Sequence, residues 1–170
     1  MSIAKAERDA NKLLDQSWWV NDDRDIPIPV DPVWIANALG IKVRYAVLPT
    51  DESGRIVIPD EEQVVITLNA TDHPNRQRFT CAHEVGHYVR RRDNGRVGTK
   101  TFVDHRNTLA GAGVNAAEIY ANQFAAALLM PAHIVASLYQ DDDLAPESIA
   151  RVLGTSTQAL QIRLRNLRMA

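Results

Sequence analysis

His83-Glu84-Val85-Gly86-His87 constrains this chain more than any other stretch. The pattern H-E-x-x-H has a use only on a helix. There, four residues turn the backbone by about 400°, so the two histidines fall about 40° apart on one face. Two imidazoles so placed can grip one zinc ion. Glu84, beside them, is placed to take a proton from a water that the metal activates. A catalytic site of this kind needs a third protein ligand from elsewhere and a position left open for water.

The surrounding residues fit a helix with a buried back. Val85 lies about 200° from His83 and points into the core, where Phe79 and Val89 can join it. Cys81 also lies two residues from His83 and faces away from the metal, as a buried small apolar residue. It is the single cysteine of the chain, so neither an intrachain disulfide nor a cysteine-based zinc site can form within it.

Asp104, His105, Glu118 and His133 are the candidates for the third ligand. Glu118 is the best of them. It opens a helix, with Asn122 one turn later on the same face and Ala121, Ala125 and Leu129 around it. The small residues let that helix approach the motif helix closely, and Gly86 relieves the other side. Asn122 could then hydrogen-bond a ligand histidine from behind. The competing reading of Glu118 is a capping box with Asn115 as N-cap. His105 could be a ligand, a transition-state donor or an exposed side chain, the last being favoured. His133 is read as a surface residue, and His73 as surface or a cap. Donors for the oxyanion are open among Tyr120, Tyr88 and His105.

Apolar spacing predicts helices over residues 3–18, 32–39, 74–92, 116–130 and 132–139, and a helix–turn–helix tail over 146–153 and 156–167. Asp31-Pro32 and Gly40 bound the second helix as N-cap and stop. Strand-like runs occupy 41–48, 55–58 and 63–68, with connections short enough to favour an antiparallel meander. Residues 96–114 hold three of the eight glycines and little periodicity, and read as a long loop, of a length that is often functional. The expected fold is α+β: a small antiparallel three-stranded sheet packed on helices, the motif helix among them, with a C-terminal helical tail. Residues 1–140 would form a zincin-like domain with an N-terminal helix, and 144–170 a helical subdomain packed on it.

The totals narrow the function. The formal charge of −2 gives no global pull toward nucleic acid or membrane. Residues 1–10 are dense in charge and lack the apolar core of a signal peptide. The longest apolar run, 124–131, is far short of the ~20 residues of a membrane span. A cytoplasmic protein is expected; the sequence gives no reading of oligomeric state.

Two stretches carry a resemblance. Arg78-Phe79-Thr80-Cys81-Ala82-His83-Glu84-Val85-Gly86-His87, followed by the run from Glu118 through Asn122, Phe124 and Leu129 to Pro131, resembles the ImmA/IrrE metallopeptidase family. Its members show R-F-T-x-A-H-E-x-G-H and E-x-x-x-N-x-F-A-A-x-L-L-M-P. The resemblance implies a gluzincin-like site with one zinc per chain, held by His83, His87 and Glu118, with Glu84 as catalytic base. It also implies a protein substrate, a helix-turn-helix regulator or antitoxin. Many relatives continue as H-E-x-G-H-x-x-L-H; this chain instead has Tyr88-Val89-Arg90-Arg91-Arg92, a basic patch.

Two rivals remain open. The tail places Ala150, Gly154 and Leu160 at helix-turn-helix offsets, and from Ser148 onward carries Arg151, Arg163, Arg165 and Arg168 without an acid, which suits a DNA-binding regulator. The acidic balance of the whole chain makes nucleic acid the weaker expectation. The other rival is a zinc-binding antirepressor that displaces a regulator without turnover. The strand at 64–69 is expected to be an edge, either an ordinary one or one on which an extended peptide could add.

Overall fold

The computed structural model describes residues 3–17, 26–59, 63–93, 100–105, 116–141 and 144–170. Helix α1 (Ile3–Ser17) buries one stripe, Ala6, Ala10, Leu13 and Leu14, and leaves its other side polar. Helix α2 (Pro32–Ala38) begins as its sequence predicts. The Asp31 carboxylate accepts from the backbone N–H of Val33 at 2.9 Å and of Trp34 at 3.3 Å, with proline in the first turn. Gly40, at φ +77°, turns the chain out of the helix.

The sheet departs from the expected meander. It has four strands, β1 (Lys42–Ala46), β2 (Glu52–Ile58), β3 (Val65–Asn69) and β4 (Lys100–His105), in the order β1-β3-β2-β4. Only β2–β3 and β2–β4 are antiparallel; β1 and β3 run parallel, with Val43 opposite Ile66 and Tyr45 opposite Leu68. Short connections suggested that neighbours in sequence pair. In fact β2 is set one place away from β1, and β3 returns between them, so β2 itself serves as the crossover that a parallel pair requires. The strand expected at the edge, β3, is therefore central. The fourth strand lies inside the stretch read as loop. Its run Thr101-Phe102-Val103 is too short for periodicity to reveal, and the pairing with β2 (Phe102 opposite Ile56) holds it.

One face of this sheet receives α3 (Pro74–Asp93), the helix that carries the H-E-x-x-H pattern. Gly54 of β2 permits the contact: a Cβ there would lie 2.6 Å from the Thr80 methyl and 3.0 Å from the Thr67 carbonyl oxygen. On its other side α3 meets α4 (Ala116–Leu129). At the crossing a Cβ on Gly86 would lie 3.1 Å from the Ala121 Cα, so glycine on one helix and alanine on the other set their spacing. Beyond α4, α5 (Ala132–Ala136) passes into a π-helical turn, Ser137–Asp141, where one continuous helix was expected.

The tail is two short helices, α6 (Pro146–Leu153) and α7 (Thr157–Asn166), joined at Gly154, whose φ of +62° ends α6. They contribute Ile149, Ala150, Leu153, Leu160 and Leu164 to the same buried apolar cluster as α1, α3 and α4. Two arginines fasten the tail. Arg78 of α3 donates to the carbonyls of Gly154 at 3.0 Å and Val30 at 2.7 Å. Arg163 of α7, only 4% exposed, donates to the carbonyl of Met130 at 3.0 Å and grips both oxygens of Glu7 on α1 at 2.8 and 2.6 Å. Arg163 is thus structural, which removes it from the basic surface that the DNA-binding reading assigned to the tail. Among the described residues no single helix is long and apolar enough to cross a membrane. The expected N-cap at Asn115 and most of the loop expected at 96–114 lie outside the described residues.

Candidate metal centre

His83 and His87 project from one face of α3, as their four-residue spacing requires, and both are 2% exposed. Opposite them stands Glu118, half-buried in the opening turn of α4. The His83 Nε2 lies 3.2 Å from Glu118 Oε2, and the His87 Nε2 lies 3.2 Å from Glu118 Oε1. The two Nε2 atoms are 3.1 Å apart. Ligands about 2.0 Å from a tetrahedral zinc are separated by about 3.3 Å along each edge of the tetrahedron. Each imidazole thus faces its own oxygen of Glu118 at about that edge length, one donor atom from each residue lies within 4.8 Å of the others, and the group can hold a metal ion.

The donor chemistry agrees. The Nδ1 of His83 lies 2.9 Å from the Asn122 Oδ1. An amide oxygen only accepts, so Nδ1 carries the proton and Nε2 turns its lone pair toward the cluster, as a metal ligand must. Burial opposes the charge on Glu118, but whenever the imidazoles facing it carry protons, their hydrogen bonds and charges outweigh burial and hold its carboxyl far below the usual carboxylate range. Glu118 is thus an anion ready for a cation. Glu84, between the histidines in sequence, is fully buried at the same turn of α3.

Aromatic rings complete the walls. Phe79 leans toward His83 with ring centroids 6.4 Å apart. Phe102 of β4 lies flat on His87, centroids 4.2 Å apart and planes 13° apart. Sequence reading missed Phe102 because its strand was taken for loop; a lone Thr-Phe-Val run in a glycine-rich stretch was the available signal.

The remaining candidates divide. Tyr120 is turned away: its hydroxyl donates to Asp9 of α1 at 2.5 Å and the residue is 3% exposed. Burial and Asp9 together push its phenol well above the usual range. Because it sits about 200° around α4 from Glu118, that commitment removes it as an oxyanion donor. Tyr88 is half-buried, with the Arg92 guanidinium 5.9 Å from its ring centre. The backbone of His105 and Asp104 belongs to β4, opposite Glu52 and Gly54 of β2, and their side chains lie outside the described residues. His133 is exposed on α5, and the His73 ring nitrogen accepts from the Asn75 N–H at 3.2 Å, as a cap. Cys81 is fully buried in the core.

A family model described as the IrrE N-terminal-like domain, of a peptidase family, matches residues 36–165, which include every residue of this site. The chain belongs to this family. It is also similar to the radiation response metalloprotease IrrE of Deinococcus radiodurans, 34% identical over 82 residues. That stretch is 48% of this chain and 24% of the relative, so the chain spans about a quarter of the curated relative's length. Helix α1 lies outside the matched family segment.

Proposed function

We propose that this chain is a zinc-dependent endopeptidase that cleaves one specific regulatory protein in the cytoplasm, a helix-turn-helix repressor or antitoxin. The observation that carries the peptidase is the His83–His87–Glu118 triangle with buried Glu84 on the same turn of helix. Two imidazoles and one carboxylate suit zinc, and three protein ligands leave the fourth position open. A bound ion supplies a Lewis acid for the scissile carbonyl and lowers the pKa of the attacking water toward neutrality, from roughly 16.

This chain's own residues do the rest. Asn122 holds the His83 tautomer. Phe102 holds the plane of the His87 ring. A Glu84 carboxylate oxygen takes the proton of the water and passes it to the leaving amine. The membership of the family supports peptide hydrolysis, and the name of the relative supports a metalloprotease. Of the two outer strands, β4 is the one joined to the site, through Phe102, and it replaces β3 as the edge on which an extended substrate segment would pair.

The test is Glu84→Gln, assayed against candidate regulators for cleavage and by mass spectrometry for metal. The variant is expected to keep about one zinc per chain and to lose cleavage by at least ~10²-fold. Retained cleavage would remove Glu84 as the base. Retained regulator displacement without any cleavage, in both proteins, would replace the peptidase with an antirepressor.

A further inference from the structure

Glu118 has an awkward position for a ligand. It stands in the first turn of α4, where the backbone N–H groups have no intrahelical partner. The first large side chain that anchors this end of the helix is Tyr120, and its partner is on α1. Helix α1 packs against α4 and reaches both ligand-bearing helices by polar bonds. Asp9 accepts from the Tyr120 hydroxyl at 2.5 Å and from Lys5 at 2.6 Å. Lys5 also reaches Asp93, the last residue of α3, at 3.2 Å, and lies 5.4 Å from the centre of the Tyr120 ring. Glu7, two residues before Asp9 and so about 200° around α1 from it, binds Arg163, which in turn holds the Met130 carbonyl just past the end of α4.

We infer that α1 is a clamp for the metal centre and that Asp9 and Tyr120 are its positioning residues: their bond fixes the opening turn of α4, and with it Glu118, against the histidines of α3. The inference rests on the metal-centre reading above. It gives α1, a helix beyond the matched family segment, a role in how the site is held.

The phenol acts at a distance from the ion. Tyr120 lies two residues from Glu118 and two from Asn122, so it grips the back of the same turns whose front presents both side chains. Losing the bond leaves the donors in place but lets the face they form open.

The experiment compares full-length wild type with Tyr120→Phe, Asp9→Ala, the double variant and Leu13→Ala. Leu13→Ala weakens the apolar stripe of α1 and leaves the polar bond intact; alanine at position 9 keeps the helix propensity of α1. Affinity for zinc is read by competition with a chelator, site geometry by the visible spectrum of the cobalt-loaded protein, and stability by melting of the metal-free form. Each single polar variant is expected to bind zinc about tenfold more weakly, the lower end of what disturbing a ligand's support costs. The cobalt bands should shift, and the double variant should bind zinc no worse than the singles, because the Tyr120–Asp9 bond is already lost in each of them. Leu13→Ala is expected to melt lower with the affinity and cobalt spectrum of wild type. Wild-type affinity and spectrum in Tyr120→Phe and Asp9→Ala would overturn the clamp and leave the metal centre standing. An equal loss of affinity in Leu13→Ala would overturn it too, by showing that any weakening of α1 suffices. Wild type that binds neither zinc nor cobalt would overturn the metal centre and the clamp with it.

Discussion

Gly86→Ala separates the stability of the fold from the quality of the site. The new Cβ would stand 3.1 Å from the Ala121 Cα and from Phe124 Cδ1, and 3.2 Å from Phe124 Cβ. Carbon atoms rest at ~3.5–4.0 Å, so α4 must retreat from α3 by about 0.5 Å. The backbone of α4 and the base of a buried ring are the obstacles, and neither is a flexible chain end. Overpacking of this kind costs ~1–3 kcal/mol. Replacing glycine by alanine inside a helix returns about 1 kcal/mol. The metal-free protein should therefore lose only ~0–2 kcal/mol in urea denaturation. The donor cluster has no such compensation. The contacts of Glu118 with His83 and His87, each 3.2 Å, span the two helices, and opening them by a sizeable fraction of an ångström should weaken zinc about tenfold, or ~1.4 kcal/mol. The assay is a chelator competition beside the denaturation curve. Wild-type zinc affinity in a folded Gly86→Ala protein would refute the claim that the spacing of α3 and α4 at this glycine sets the site.

Three further outcomes are expected. Phe102→Leu should weaken zinc several-fold while Phe102→Tyr does not, because the flat face against His87 matters more than volume; equal behaviour of the two in a competition titration would count against the stacking role. Arg163→Met should destabilise the chain by about 3 kcal/mol, since it strips Glu7 and the Met130 carbonyl of a partner at a mostly buried position; a melting temperature equal to wild type would show the pair to be dispensable. Cys81 should react with a thiol reagent no faster than the protein opens, because it is fully buried and burial, with Asp31 and Glu84, pushes its thiol far up; rapid labelling of folded protein would contradict its core position.

The grouping of His83, His87 and Glu118 was legible because each part of it is local. Helical spacing aligns the histidines, and small residues at 86, 121 and 125 announce where two helices meet. Asn122 follows from Glu118 by one turn. The sheet was less legible because pairing is not local. Nothing in residues 41–68 distinguishes a meander from an arrangement in which the third strand returns between the first two. The strand at β4 was hidden by its length and by the glycines around it. Tyr120 misled for another reason: near in sequence to a ligand, it is on the opposite side of the helix, and only the docking of α1 discloses what its hydroxyl binds. Arg163 shows the same limit. As part of a run of arginines it read as surface charge, whereas the fold uses it as an internal strut.

That strut joins residues 156 positions apart. During synthesis Arg163 follows Glu7 by 156 residues, and at roughly 5–20 residues per second the interval between them is about 8 to 30 s. Throughout it α1 has its apolar stripe ready and its ion-pair partner not yet translated. The metal ligands, at positions 83 to 118, emerge in the middle of that wait. The site can begin to assemble on the ribosome, but the helix bolted behind it is locked only when α7 arrives.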